Sequence, residues 1–104
     1  HYYLISNGSF STFSRQNASE ITLTATVQNS ISGNAGLICY LYNLNNSSEY
    51  SFLNVRSTFY ASTNNIRGFN GGGVLTETQS NDGINLLMNS GNITGGTFTL
   101  YKVV

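Results

Sequence analysis

Tyr60, Asn64, Asn65, Arg67, Phe69 and Asn70 fall within the single stretch 60–70, and together they offer planar amides, a guanidinium and aromatic rings. That is the equipment of a sugar site. Amides and guanidinium groups match vicinal hydroxyls with paired donors and acceptors, and an aromatic ring gives the apolar face of a pyranose a surface to stack on. These six residues are the candidate ligand-binding set. Two features weigh against them: asparagine is abundant along the whole chain, and tryptophan, the favoured stacking ring, is absent. An arginine on a strand also commonly pairs with a neighbouring carboxylate.

Reaction chemistry finds less to work with. His1 is the only histidine, so neither a Ser-His-Asp nor a Cys-His arrangement can be assembled within the domain. The carboxylates Glu20, Glu49, Glu77 and Asp82 are scattered, and no spacing resembles an EF-hand or a His/Cys zinc cluster. Glu77 and Asp82 stand across Gln79-Ser80-Asn81, where paired acids for glycoside cleavage can be imagined; two acids near a turn are more simply solvated. The run Arg67-Gly68-Phe69-Asn70-Gly71-Gly72-Gly73 lacks the Gly-Lys-Ser/Thr ending of a phosphate loop. It reads as a flexible β-connection in which Gly71, Gly72 and Gly73 take dihedrals closed to other residues. The expectation is a protein with no enzymatic activity, no cofactor and no metal.

The chain has 104 residues, a length that fits one domain and buries about two-thirds of its unfolded surface. Charged residues are only 8% and aromatics 12%, proline is absent, and Asn, Ser and Thr make up roughly two-fifths of the chain. Amides and hydroxyls therefore solvate its surface. Arg15, Arg56, Arg67 and Lys102 balance the four acids to zero net charge without clustering. Nucleic-acid binding by counterion release needs a concentrated basic patch, and an anionic membrane surface needs the same. The longest apolar runs, 37–41 and 84–88, are too short to span a bilayer. No nucleic-acid partner and no membrane insertion are expected.

Cys39 is the single cysteine, set in the apolar run Gly36-Leu37-Ile38-Cys39-Tyr40-Leu41-Tyr42. It reads as a small buried hydrophobe, since no neighbouring cation or histidine lowers its pKa. A β domain this small with no disulfide fits folding in a reducing cytoplasm. No basic segment followed by a long apolar run opens the chain, and the missing initiator methionine fits a fragment of a longer protein.

The elements that must carry these residues are strands. Ile21, Leu23, Ala25 and Val27 alternate with Thr22, Thr24, Thr26 and Gln28, giving one buried and one wet face. Further strands are predicted over 2–6, 9–14, 37–43, 50–60, 65–69, 74–78, 84–88 and 97–103. Asparagine- and glycine-rich clusters at 29–34, 43–48, 61–65 and 70–73 read as the turns between them. About eight or nine short strands at this spacing predict an all-β fold, an antiparallel, jelly-roll-like β-sandwich spanning 1–104, with consecutive hairpins or an up-and-down barrel as the alternatives. The segments 37–42 and 84–88 are apolar on both faces, so each needs a cover beyond the sandwich core, from a loop or from a neighbouring subunit. Strands 84–88 and 97–103 are expected to pair as a hairpin around Ser90-Gly91-Asn92, with Phe98 and Leu100 in the core. Lys102 reads as an exposed edge charge.

The C-terminal run Asp82-Gly83-Ile84-Asn85-Leu86-Leu87, continuing through Ser90-Gly91-Asn92-Ile93 to Gly96-Thr97-Phe98-Thr99-Leu100-Tyr101, resembles the C-terminal β-sandwich domains of bacteriophage tail fibres and tailspikes. The stretches 50–57 and 66–72 look like the middle of those domains, and 3–10 like their first strand. Family members more often end in a glycine after the tyrosine than in Lys102-Val103-Val104. The resemblance implies a C-terminal domain of a longer fibre or spike, assembled in the bacterial cytoplasm, located on the virion and trimeric. Its implied role is recognition of a bacterial cell-surface glycan; the alternative is a trimerisation or folding cap that contacts only sister chains. It supplies no binding residues of its own.

Overall fold

The computed structural model describes residues 2–6, 9–29, 34–62 and 65–103. Among them are five strands and no helix: β1 (Tyr2–Ser6), β2 (Ser9–Phe13), β3 (Ala35–Tyr42), β4 (Ser51–Ser62) and β5 (Asn65–Leu75). They form one antiparallel sheet in the order β2-β1-β5-β4-β3. The all-β antiparallel expectation holds at this level. Five strands in one sheet, rather than eight or nine in two, is the count among the described residues.

Strand β4 shows why the sheet has an inside. Ser51, Val55, Ser57, Phe59 and Ala61 are buried, while Phe52, Asn54, Arg56 and Thr58 between them are exposed. Residues directly opposite across an antiparallel pair share a face. The β4–β5 register sets Phe69 against Ser57 and Arg67 against Phe59, and the β3–β4 register sets Cys39 against Val55. The core cluster is Val55, Phe59, Ala61 and Phe69. A bulge between Tyr60 and Ser62 ends the regular register, and Ser62 pairs with Asn65 at the β4–β5 connection.

The segment 21–28 covers this face. Its apolar side was read correctly, for Leu23, Ala25 and Val27 pack on the cluster. It does so without strand pairing. The Ser57 hydroxyl donates to the Leu23 carbonyl at 2.8 Å, and the Gln28 amide donates to the Tyr60 carbonyl at 2.8 Å. The alternation that sorts faces thus serves a strap as well as a strand. Cys39, half-buried against the same cluster, is the small hydrophobe its setting called for, and burial pushes its thiol pKa up.

Two expectations fail for identifiable reasons. Residues 70–73, taken as a turn, lie inside β5, which runs unbroken from Asn65 to Leu75. Gly71, Gly72 and Gly73 pair with Val55, Asn54 and Leu53. Glycine is needed here for close approach: a Cβ on Gly72 would lie 2.7 Å from the Leu53 carbonyl oxygen and 2.9 Å from Asn54 Oδ1.

The second failure is the C-terminal hairpin. Residues 84–88 and 97–103 carry no strand, and Phe98 and Leu100, expected in the core, are 59% and 77% exposed. Gly91 does bend the chain with φ +79°, but a period-two pattern makes a strand only when backbone partners lie beside it.

The β3–β4 connection is held by asparagines. Asn43, at φ 58°, closes β3, and its carbonyl accepts from the Ser51 hydroxyl at 3.1 Å. Asn46 Oδ1 accepts the Ser48 amide at 2.8 Å, a side-chain mimic of a backbone turn. The chain returns to this loop at Asn81, whose amide N–H donates to the Leu44 carbonyl at 2.6 Å and whose side chain donates to Ser51 Oγ at 3.1 Å. Ser80 bridges to Asn45 beside it.

Candidate functional site

The register that buries Phe59 leaves a second face of β3, β4 and β5 bare. Cross-strand rows run Tyr42–Phe52–Val74, then Tyr40–Asn54–Gly72, then Ile38–Arg56–Asn70, then Gly36–Thr58–Gly68. Opposed side chains in such rows stand about 5 Å apart at Cβ, so Tyr40, Asn54, Arg56 and Asn70 form a compact polar-aromatic patch. A groove of about 730 Å³ lies over it, lined by Ile38, Tyr40, Tyr42, Asn54, Arg56 and Asn70 with the backbone of the core-side strand positions.

Each member has a local reason for its position. Tyr40 and Tyr42 alternate with Cys39 and Leu41, whose burial on the core side forces the rings outward, to 55% and 47% exposure. Asn54 and Arg56 are the wet positions between Leu53, Val55 and Ser57. Gly72, lacking a side chain, lets the Asn54 amide lean across β5. Arg56 has no ion-pair partner among the described residues, where the sole salt bridge joins Arg15 to Glu20 at 3.5 Å. Its guanidinium is therefore open to a ligand. Beyond Ile38, Arg56 and Asn70 the row Gly36–Thr58–Gly68 forms a trough, because a Cβ on either glycine would meet nothing within 4 Å. The trough leads to a smaller hollow of about 340 Å³ between Asn34, Thr58, Tyr60 and Ile66.

The six residues proposed from sequence are divided by the sheet. Asn70 lies in the large groove beside Arg56, and Tyr60 lines the small hollow. Phe69 is 2% exposed and belongs to the core, so it cannot stack a sugar. Arg67 sits at a core-face position opposite Phe59, half-buried, with Nε buried and unpaired. Asn65 is half-buried opposite Ser62, and Asn64 lies outside the described residues. The correction follows from strand parity: positions 67 and 69 share one face, 66, 68 and 70 the other, so a contiguous sequence cluster cannot be one surface. Tyr40, Tyr42, Asn54 and Arg56 were missed because they come from two strands brought together by register. The available signal was the apolar character of both faces of 37–42.

Elsewhere, Glu77 and Asp82 are exposed. Among the described residues no group of three or more His, Cys, Asp or Glu side chains is placed to hold a metal ion. Comparison with family models, with curated proteins and with solved structures finds no match for this chain. The chemistry of the open face therefore carries the functional reading.

Proposed function

We propose that this chain is a glycan-recognition module, a virion appendage domain that reads a bacterial surface polysaccharide through the open face of β3, β4 and β5. The observation that carries the reading is the convergence of Tyr40, Asn54, Arg56 and Asn70 on one open groove. Tyr40 offers its ring to the apolar face of a pyranose. Asn54 and Asn70 supply donor-acceptor pairs for vicinal hydroxyls, and Arg56 donates to ring or carboxylate oxygens. The trough over Gly36 and Gly68 gives a second sugar unit room against bare backbone. The appendage context comes from the resemblance of the 82–101 run to phage fibre domains. In this reading the strap 21–28 covers the inner face of the sheet and leaves the other face open to the ligand.

The test is a glycan array with the labelled chain, followed by affinity measurement for Tyr40→Ala and Arg56→Ala on the best ligand. Each variant should weaken binding tenfold or more, about 1.4 kcal/mol, with an unchanged circular dichroism spectrum. Binding that survives both substitutions, or an array with no hits, overturns the reading. A second reading, a homotrimeric folding cap in a fibre, is favoured by the exposure of Ile38, Tyr40, Tyr42 and Phe52. It predicts an array with no hits and a stable trimer.

A further inference from the structure

The sheet ends at β3, and β3 is an unusual strand to leave at an edge. It is eight residues long and apolar on both faces, with Leu37, Cys39 and Leu41 toward the core and Ile38, Tyr40 and Tyr42 toward the open side. Leu37 and Ile38 are 38% and 62% exposed. Natural edges are blunted by charge, proline or shortness, because a row of unpaired N–H and C=O groups recruits another strand. Here none of those devices is present: β3 holds no charged residue and no proline. The opposite edge, β2, is shorter, and its Ser9, Ser11 and Thr12 make it a weaker template.

The same chain carries a strand without a sheet. In 97–103, Phe98, Leu100 and Lys102 alternate with Thr97, Thr99, Tyr101 and Val103, giving an apolar component on each side, with the Lys102 charge at the end of the Phe98 side. Phe98, Leu100, Tyr101 and Val103 are all more than half exposed. Among the described residues, 84–103 makes no backbone hydrogen bond. The acceptor edge and the donor segment match in length and in having apolar groups on both faces. Among the described residues they are not joined within the chain.

We propose that residues 97–103 of one copy add as a strand to the free edge of β3 in a second copy of this chain. Strand addition of this kind takes its affinity from main-chain hydrogen bonds and its specificity from alternate side chains. Phe98 and Leu100 then lie on the core side beside Leu37, Cys39 and Leu41, while Tyr101 and Val103 lie beside Ile38 and Tyr40. Both apolar sets leave water together. Donor and acceptor are different surfaces of one chain, so every copy offers both, and reciprocal exchange in a pair or head-to-tail addition round a ring gives a closed oligomer. Ile38 and Tyr40 line the groove as well as this contact, so the added strand becomes one wall of the groove while Asn54, Arg56 and Asn70 lie inward of it; the oligomer is read without any glycan present.

The lone Cys39, central in β3, makes the proposal testable. Neighbouring strands set Cα atoms about 4.5–5.5 Å apart, within disulfide reach. Phe98→Cys, Leu100→Cys, Thr99→Cys and Met88→Cys are oxidised with copper phenanthroline and run on non-reducing gels, each also in a Cys39→Ser background. Phe98→Cys or Leu100→Cys should give chain-to-chain products that vanish with Cys39→Ser, while Thr99→Cys and the exposed control Met88→Cys should not. Sedimentation of the unmodified chain at micromolar concentration should show one discrete oligomer. The double variant Leu100→Lys/Tyr101→Lys should sediment as a monomer with unchanged β-sheet circular dichroism. Equal yields from all four cysteines, a product of monomer size with no free thiol, or a monomeric unmodified chain would each overturn the proposal.

Discussion

Gly72→Ala and Gly68→Ala place the same methyl group four residues apart on the same face of β5, and the structure assigns them opposite signs. At Gly68 the new Cβ meets nothing within 4 Å. The backbone there is not left-handed, so the substitution restricts the unfolded chain without straining the folded one, a gain of about 0.4–1 kcal/mol. At Gly72 the Cβ lies 2.7 Å from the Leu53 carbonyl oxygen, a backbone atom fixed by the β4–β5 pairing. The Asn54 amide at 2.9 Å can rotate away, but Leu53 cannot move without opening the ladder. Overpacking of this kind costs about 1–3 kcal/mol, which exceeds the entropic gain. Urea unfolding at fixed protein concentration measures both. With a slope of about 1–3 kcal/mol per molar, a 2 kcal/mol loss lowers the midpoint by about 1 M, and Gly68→Ala should raise it slightly. Equal midpoints for the two variants would refute the close-approach explanation of β5's glycines and return 70–73 to a turn.

Ser57→Ala removes the hydroxyl that pins the strap to the sheet and leaves the Leu23 carbonyl unpaired; a loss of about 1–3 kcal/mol is expected, read by thermal unfolding. Phe59→Ala, at a 2% exposed core position, should cost about 3–5 kcal/mol; a melting temperature within a degree of the parent would contradict the assigned core. The Cys39 thiol has a folded pKa raised by desolvation, so its protonated form favours folding. That contribution is complete below the unfolded thiol pKa and declines as pH rises through the folded value. Maleimide labelling at neutral pH should therefore be slower in the native chain than in urea, and equal rates would place Cys39 at the surface.

What sequence alone determined is the local part of this architecture. The alternation in 51–61 and in 21–28 is a property of neighbouring residues, and a period of two sorts faces whatever the partner is. Hence β1, β2, β3 and β4 were legible, as were the buried side of the strap and the setting of Cys39. The candidate site was legible only in its chemistry: the amides, arginine and aromatic rings singled out in sequence recur as residue types on the open face, and of the five described residues among the six chosen only Asn70 and Tyr60 lie there. Tertiary structure decided the rest through register. Which residues of β3, β4 and β5 stand abreast depends on pairing between segments distant in the chain, and that pairing gathers Tyr40, Asn54, Arg56 and Asn70 while sending Phe69 into the core. Glycine's meaning is decided the same way, since Gly71 to Gly73 permit either a turn or a close approach and only the neighbouring strand selects between them. The segment 97–103 has the alternating pattern of a strand and no strand partner among the described residues; hydrogen bonds between strands are made by two segments, and no single segment can specify the other.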